Sequence, residues 1–275
     1  SLLMLCLVWL CLVAAATRPI LYGDTVTLPM EGRDLLLAVD ISGSMQIEDM
    51  RAGNNMVNRL IAVKAVVGEF VERRQGDRLG LVLFASRAYL QAPLTFDTQT
   101  VKRFLNEAQI GFAGSETAIG DAIGLSIKRL RERPSESRVM ILLTDGANTA
   151  GVVNPLEAAK LAAENDIRIY TVGVGADQMT RAGIFGTSFG SRTVNPSRDL
   201  DEDTLMQIAE LTSGQYFRAR NPGELAEIYQ LLDQLEPINQ DSQTFRPQTS
   251  LFHWPLSIAL ILSLLLAASR SLRAN

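Results

Sequence analysis

A short apolar run that ends on an acidic turn constrains this chain more than any other stretch of its sequence. Residues 35–39 read LLLAV. An apolar run that is continuous rather than alternating is typical of a strand buried on both faces of a parallel sheet. Asp40 follows directly and should lie at the carboxyl end of that strand, the edge where open parallel sheets bind their ligands. The run therefore predicts an α/β fold with a functional edge at Asp40.

The residues after Asp40 carry hydroxyl groups at alternate positions. Ser42 and Ser44 place two hydroxyls in the same tight turn as the Asp40 carboxylate, and Gly43 allows the backbone to bend closely between them. An oxygen-only set of this kind suits a hard divalent cation. Taken alone, serine and aspartate after a strand are also common helix-capping residues.

Two later segments complete the pattern. A second apolar run, residues 139–143, is followed by the turn TDG, which contains Asp145 and Gly146. Between the two runs lies a polar loop with the sequence TAIGD, which begins at Thr117 and ends at Asp121. Because the carboxyl ends of parallel strands meet at one edge of a sheet, we expect these side chains to lie close to the first turn.

Strands and helices alternate between and beyond these segments. Apolar residues at helical spacing predict helices at 56–71 and 119–130, and an apolar run predicts a strand at 167–174. Residues 88–91 predict a short edge strand that Pro93 ends. Such alternation predicts a doubly wound, mostly parallel sheet flanked by helices.

The segments DISGS, TAIGD and TDG resemble the three-part metal-ion-dependent adhesion site (MIDAS) of von Willebrand factor A (VWA) domains, and the resemblance runs from about residue 32 to residue 237. Three separated pieces in the right order are more specific than any one piece. The resemblance implies the Rossmann-like VWA fold. The predicted metal ligands are Asp40, Ser42, Ser44, Thr117 and Asp145, supported from behind by Gly43, Asp121 and Gly146. For Asp121 itself we favour a helix-capping role.

This donor set predicts a site that needs an acid from outside. Two carboxylates only balance a divalent cation, and neutral hydroxyls leave water at the remaining positions, since Mg²⁺ loses its waters reluctantly. A carboxylate on a protein partner could replace one water, and in the resembled family ligands bind in this way. We therefore predict Mg²⁺ as the cofactor, with Mn²⁺ or Ca²⁺ as alternatives. The loop at 175–200 should emerge at the same edge of the sheet, where it either borders the site or is a disordered insertion without a function. The predicted rim for partner contact is Met45, Glu116, Phe185 and Phe189.

Little in the sequence favours an enzyme. His253 is the only histidine, which excludes a Ser-His-Asp triad and a histidine-ligated zinc site. A phosphatase with an aspartyl nucleophile would need a second acid at position 42, which is serine. The net charge of −4 gives no reason to expect nucleic acid. We predict a non-enzymatic binding protein; the alternatives are a metal-dependent hydrolase on a Rossmann-like sheet and a structural membrane anchor with a non-functional site.

Two apolar segments predict attachment to a membrane. Residues 1–17 carry no charge, and residues 251–269 contain Trp254 near their start and are followed by Arg270. If both cross the bilayer, the chain is a multi-pass protein of the inner (plasma) membrane and its central domain is periplasmic or extracytoplasmic. The alternative for the first segment is a signal peptide, because residues 14–16 resemble a cleavage site.

The predicted organisation has six parts: a transmembrane helix (1–17), a juxtamembrane lead-in (18–32), the VWA domain (33–237), a polar linker (238–250), a second transmembrane helix (251–269) and a cytoplasmic tail (270–275). Within the VWA family, the segments GRDLLLAVDISGSM, TAIGDAIGL and TDGANTAG resemble the membrane-anchored bacterial aerotolerance (Bat) proteins. That resemblance implies a role in envelope stress tolerance or complex assembly, with other VWA proteins or a chaperone-type ATPase as partners.

Overall fold

The computed structural model describes residues 2–23, 26–29, 33–53, 55–134, 138–181, 192–236, 242–245 and 248–274. The chain forms two compact units. The larger is Glu31–Gln240, and the smaller combines Ser1–Met30 with Asp241–Asn275.

The described helices are α1 (Leu2–Ala16), α2 (Arg59–Arg73), α3 (Thr98–Glu107), α4 (Ile119–Leu130), α5 (Pro155–Glu164), α6 (Glu202–Leu211), α7 (Pro222–Leu235) and α8 (His253–Ala274), and a 3-10 helix spans Gly43–Gln46. The described strands are β1 (Ile20–Tyr22), β2 (Val26–Pro29), β3 (Asp34–Asp40), β4 (Met50–Ala52), β5 (Asn55–Val57), β6 (Arg78–Phe84), β7 (Ala88–Thr95), β8 (Arg138–Thr144), β9 (Arg168–Val174), β10 (Met179–Arg181), β11 (Arg192–Val194), β12 (Tyr216–Ala219), β13 (Ser242–Phe245) and β14 (Gln248–Ser250).

The larger unit is built on a six-stranded sheet with the order β12-β9-β8-β3-β6-β7. All neighbouring strands are parallel except β6 and β7, which are antiparallel. The chain runs outward from β3 to β6 and β7 and then returns past β3 to β8, so the direction of winding reverses between β3 and β8. This reversal confirms the predicted doubly wound, mostly parallel α/β fold, and its switch point is where such sheets bind ligands.

Both faces of β3 are covered by helices. Leu35, Leu37 and Val39 pack in one apolar cluster with residues of α2, α3 and α7. Leu36 and Ala38 pack on the opposite face with residues of α4, α5 and α6. Because successive strand residues point to opposite faces, a strand covered on both sides must be apolar at every position. This explains the continuous apolar run that precedes Asp40.

The edge strand β7 is longer than the sequence predicts. It continues through Pro93 to Thr95, with register irregularities against β6. Proline cannot donate a backbone hydrogen bond, but an edge strand needs donors on one side only. Pro93 therefore does not end the strand.

In the smaller unit, α1 and α8 pack against each other, β1 pairs with β14 and β2 pairs with β13. Across the part of the chain that the structure describes, no helix is long and apolar enough to cross a membrane, so the predicted spans at 1–17 and 251–269 are not supported.

Candidate metal centre

Asp40 ends β3 at the switch point and is completely buried. Its Oδ1 accepts the backbone N–H of Ser42 at 2.8 Å, and its Oδ2 accepts the hydroxyl of Thr144 at 2.6 Å. Burial, followed by repulsion from the nearby Asp145 carboxylate, raises the pKa of Asp40 to about 7 in spite of these hydrogen bonds. The two hydrogen bonds to Asp40 therefore compensate only part of the cost of burying its negative charge.

Ser42, Ser44 and Asp145 continue the cluster from Asp40. The hydroxyl oxygens of the two serines are 3.1 Å apart, and Ser44 Oγ donates to Asp145 Oδ1 at 2.6 Å. Asp145 is also buried, and its burial raises the pKa of its carboxyl group, although the charge of Arg59 opposes this shift. The turns that follow β3 and β8 thus meet through their side chains, as their strand positions predict.

Thr117 reaches the same cluster from the loop before α4. Its N–H donates to Thr149 Oγ1 at 2.9 Å, and its carbonyl accepts the N–H groups of Thr149 and Ala150 at 2.8 and 3.1 Å. A Cβ atom built on Gly146 would lie 3.9 Å from Thr117 Oγ1 and 4.0 Å from Ser44 Oγ. The hydroxyl oxygens of Thr117 and Ser44 therefore both lie within about 4 Å of one point beside Gly146, so the five predicted ligands lie in the same region at the edge of the sheet.

Gly43 lets two of these loops approach closely. Its N–H donates to the carbonyl of Ser115 at 3.0 Å, and a Cβ at this position would lie 3.4 Å from the same oxygen. This contact ties the turn that carries the two serines to the loop that carries Thr117.

Asp121 does not cap its own helix, so the predicted capping role is wrong. Its Oδ1 accepts the backbone N–H groups of residues 152 and 153, each at 3.0 Å. The beginning of α4 is capped instead by Asn148, whose Oδ1 accepts the N–H groups of residues 119 and 120 at 2.7 and 3.3 Å. Asp121 therefore supports the site by holding the loop that follows Asp145.

The sequence interpretation missed a buried ion pair at the centre. The side chain of Arg59 is 1% exposed, and its Nη1 donates to Asp145 Oδ2 at 2.8 Å. Its Nε and Nη2 contact the carboxylate of Asp49, with a shortest distance of 2.6 Å. The three carboxylates of Asp40, Asp49 and Asp145 and one guanidinium give a formal charge of −3 + 1 = −2. The long separation of Asp49, Arg59 and Asp145 leaves no local pattern that could have revealed the pair.

Of the residues predicted to form the rim, some are exposed and some are buried. Met45 is completely buried, because the 3-10 helix turns its side chain into the apolar cluster beneath α2, so it cannot contact a partner. Glu116 is exposed, and its N–H donates to Ser86 Oγ at 3.1 Å. Phe185 and Phe189 lie outside the described residues.

Among the residues that the structure describes, no group of three or more His, Cys, Asp or Glu side chains is placed to hold a metal ion. The candidate centre does not require one, since hydroxyls supply three of its five predicted ligands. Oxygen donors of this kind fit a hard cation such as Mg²⁺, which tolerates neutral ligands and retained water.

Comparison with known proteins identifies the fold. A family model for the von Willebrand factor type A domain matches residues 34–231. BatB from Bacteroides thetaiotaomicron is 28% identical with a TM-score of 0.60, over 74% of this chain and 98% of that chain. An aerotolerance-related membrane protein from Bacteroides fragilis, carrying multiple mutations to serine, is 28% identical with a TM-score of 0.59 over the same shares of the two chains.

A UPF0353 protein from Mycobacterium avium is 26% identical over an alignment of 230 residues that covers 77% of this chain. The chain spans 63% of the length of this relative and 53% of the length of a relative from Borreliella burgdorferi. The relatives are thus longer proteins that contain a region similar to this chain.

Proposed function

The chain belongs to the von Willebrand factor type A domain family and is similar to BatB-like aerotolerance-related proteins, and from that premise we propose that it binds a protein partner through a divalent cation. The partner would contribute an aspartate or glutamate side chain. The observation that carries the proposal is the convergence of three hydroxyls and two buried carboxylates at the switch point of the sheet.

The hydrogen bonds of the site suggest which residues would bind the cation and which would orient those ligands. Both oxygens of Asp40 accept a hydrogen bond, from Ser42 N–H and from the Thr144 hydroxyl. Both oxygens of Asp145 also accept one, from Ser44 and from Arg59. We propose that the hydroxyls would hold the cation, preferably Mg²⁺, while the two carboxylates would orient them and balance its charge.

The charge of the site supports the need for an external acid. The Asp49–Arg59 pair adds one negative and one positive charge, so the formal charge of −2 balances a divalent cation without excess. When bound, the cation would supply coordination positions that an external carboxylate can take from water. Asp40, Ser42, Ser44, Thr117 and Asp145 would prepare the site, and the partner would complete it.

The same chemistry supports binding without catalysis. Acid–base chemistry at neutral pH most often uses histidine, and the single histidine, His253, belongs to α8 in the smaller unit. Each oxygen of Asp40 and of Asp145 already accepts a hydrogen bond, which reduces the nucleophilicity of both carboxylates.

We further propose that the smaller unit associates with a membrane through the apolar surfaces of α1 and α8. Leu3 is 82% exposed, Trp9 is 68% exposed and Leu260 is 63% exposed, and water solvates such a surface poorly. A bacterial envelope role in stress tolerance or complex assembly would follow, with other VWA proteins or a chaperone-type ATPase as partners. Cell fractionation tests the attachment: we expect the full chain in the membrane fraction, and recovery in the soluble fraction would contradict it.

Thermal unfolding with Mg²⁺ or Mn²⁺ tests the cation site. At a cation concentration about 100 times the dissociation constant, binding stabilises by about 2.7 kcal/mol. For a domain of this size, we expect the melting temperature to rise by about 5–10 °C. Asp40→Ala and Ser44→Ala should abolish the rise.

The matched control is Ser126→Ala. Ser126 is also buried, but its hydroxyl donates to Ala122 O within α4 at 2.7 Å. This variant should keep the full cation-dependent rise. The proposal fails if the unmodified chain shows no rise with either cation.

A further inference from the structure

Arg59 connects the metal centre to a second region at the same edge of the sheet. Besides its contacts with Asp145 and Asp49, its Nη2 donates to the carbonyl of Pro196 at 3.1 Å and to Ser197 Oγ at 3.2 Å. Pro196 and Ser197 follow β11, outside the set of residues proposed to hold the cation. One buried guanidinium therefore contacts groups from three other segments of the chain.

Asp49 extends the connection to the end of β9. Its Oδ2 accepts the N–H of Ala176 at 3.0 Å, and Ser197 Oγ donates to the carbonyl of Ala176 at 2.8 Å. Gly175 makes room for this arrangement, since a Cβ at this position would lie 2.7 Å from Arg59 Cζ and 2.5 Å from Ser197 Oγ. The backbone of Gly175, with φ +134°, also favours glycine.

We propose that Arg59 and Asp49 are positioning residues that couple cation binding at Asp145 to the arrangement of Ala176 and Ser197. The inference rests on the proposed function, because it requires a cation at the centre. Arg59 and the cation would share the charge of Asp145. As Asp145 moves toward the cation, its hydrogen bond with the Arg59 guanidinium would weaken. The guanidinium would then bind Asp49 and Ser197 more strongly, and this would stabilise the hydrogen bonds of these two residues with Ala176.

The coupling must be reciprocal. If cation binding stabilises the contacts of Ala176, then intact contacts at Asp49 and Ser197 must strengthen cation binding by the same factor. Removing the charge of Asp49 changes the formal charge of the centre from −2 to −1 and leaves Asp145 as the one carboxylate partner of Arg59 among the described residues. Both effects weaken cation binding, so we expect Asp49→Asn to raise the dissociation constant of the cation.

A second buried pair supplies the matched control. Arg74 and Asp77 are as buried as Arg59 and Asp49, and Arg74 Nη1 is 3.1 Å from Asp77 Oδ2. Arg74 also contacts α7, Glu236 and the ring of Phe70, at the opposite edge of the sheet from the centre. A purely structural ion pair would behave alike at both places, whereas a positioning pair would affect the cation only at Asp49.

Calorimetric titration of the full chain with Mg²⁺ and Mn²⁺ tests the inference. Partners of metal ligands typically change affinity about 10–100-fold when they are removed. We expect Asp49→Asn to weaken binding about 10-fold and Asp77→Asn to leave the affinity unchanged. Hydrogen exchange supplies a second measurement: Mg²⁺ should slow exchange of the Ala176 N–H in the unmodified chain and have a smaller effect in Asp49→Asn.

The outcomes separate this inference from the proposed function. If the unmodified chain binds neither cation, the proposed function fails and the inference falls with it. If it binds a cation and Asp49→Asn binds equally well, only the inference fails. Should Asp49→Asn not fold, Ser197→Ala removes a single hydroxyl and must still weaken binding and reduce the protection of Ala176; unchanged values would overturn the inference.

Discussion

The glycine of the TAIGD segment allows a sharp test of how the loops around the metal centre are packed. A Cβ built on Gly120 would lie 1.9 Å from the carbonyl oxygen of Val153 and 2.7 Å from its carbon. Favourable contacts between carbon atoms are about 3.5–4.0 Å long, so a methyl group does not fit here. Gly124, one turn later on α4, has no heavy atom within 4 Å of the same position. The two glycines are therefore a matched pair on one helix.

The expected magnitudes differ in sign. Replacing a glycine inside a helix with alanine stabilises by about 0.5–1 kcal/mol, which is the expected result for Gly124→Ala. Gly120→Ala gains the same helix stabilisation, but its methyl group must displace the backbone near Val153. Such overpacking costs about 1–3 kcal/mol, and the backbone hydrogen bonds from residues 152 and 153 to Asp121 would add about 1 kcal/mol each if lost. We expect a net loss of about 3 kcal/mol.

Denaturant and thermal unfolding measure both variants. For a domain of this size, Gly120→Ala should lower the melting temperature by about 6–12 °C, while Gly124→Ala should raise it by about 1–4 °C. Because the displaced loop follows Asp145, Gly120→Ala should also reduce the stabilisation by Mg²⁺. Equal stability of the two variants would refute the reasoning, since it would mean that the close approach of Val153 does not constrain residue 120.

Two further predictions concern polar groups away from the centre. Hydrogen bonds from the hydroxyl and N–H of Thr100 lower the pKa of Asp97, so Asp97 stabilises α3 above the ordinary pKa of aspartate and loses this effect as the pH falls through its lowered value. Urea unfolding should therefore show Asp97→Ala less stable than the unmodified chain at pH 7, with a smaller difference in strong acid, and Asp97→Asn should retain the cap. The buried hydroxyl of Tyr229 has no hydrogen-bond partner among the described residues, so Tyr229→Phe should raise the free energy of unfolding by about 1 kcal/mol. Tyr170→Phe removes a hydroxyl that donates to Glu236 Oε1 at 2.7 Å and should lower it by about 1 kcal/mol; the same sign for both variants would contradict the argument.

The sequence was sufficient for the parts of the fold that local patterns control. The apolar runs at 35–39 and 139–143 lie in β3 and β8, and the residues that follow them meet at one edge. Parallel neighbours place their carboxyl ends together, so strand identity alone predicted that Asp40 and Asp145 would be close. That strand pattern could not predict that β7 would continue through Pro93, because its place at the edge depends on the whole sheet order.

Other features depended on contacts that no local pattern contains. A methionine in a polar turn can point outward or inward, and Met45 points inward because α2 offers it an apolar cluster. The apolar segments at the two ends form helices, but their composition did not predict that no described helix would have the length and apolarity needed to cross a membrane. Arg59 is the main omission, since arginine at the beginning of a helix is normally exposed to solvent.

The buried Asp49–Arg59 pair, which the sequence did not reveal, preserves the predicted charge balance for a different physical reason. From the sequence, the two carboxylates of Asp40 and Asp145 would balance a divalent cation, with Glu116 as a possible third carboxylate at the rim. In the structure a third carboxylate, Asp49, is present, but Arg59 cancels its charge and also occupies Asp145 Oδ2. Without Arg59, three buried carboxylates would attract a cation strongly and leave it little need for an external acid. Under the proposed function, the guanidinium of Arg59 would thus keep the cation dependent on an external carboxylate, and a motif that lists only the oxygen ligands does not include this residue.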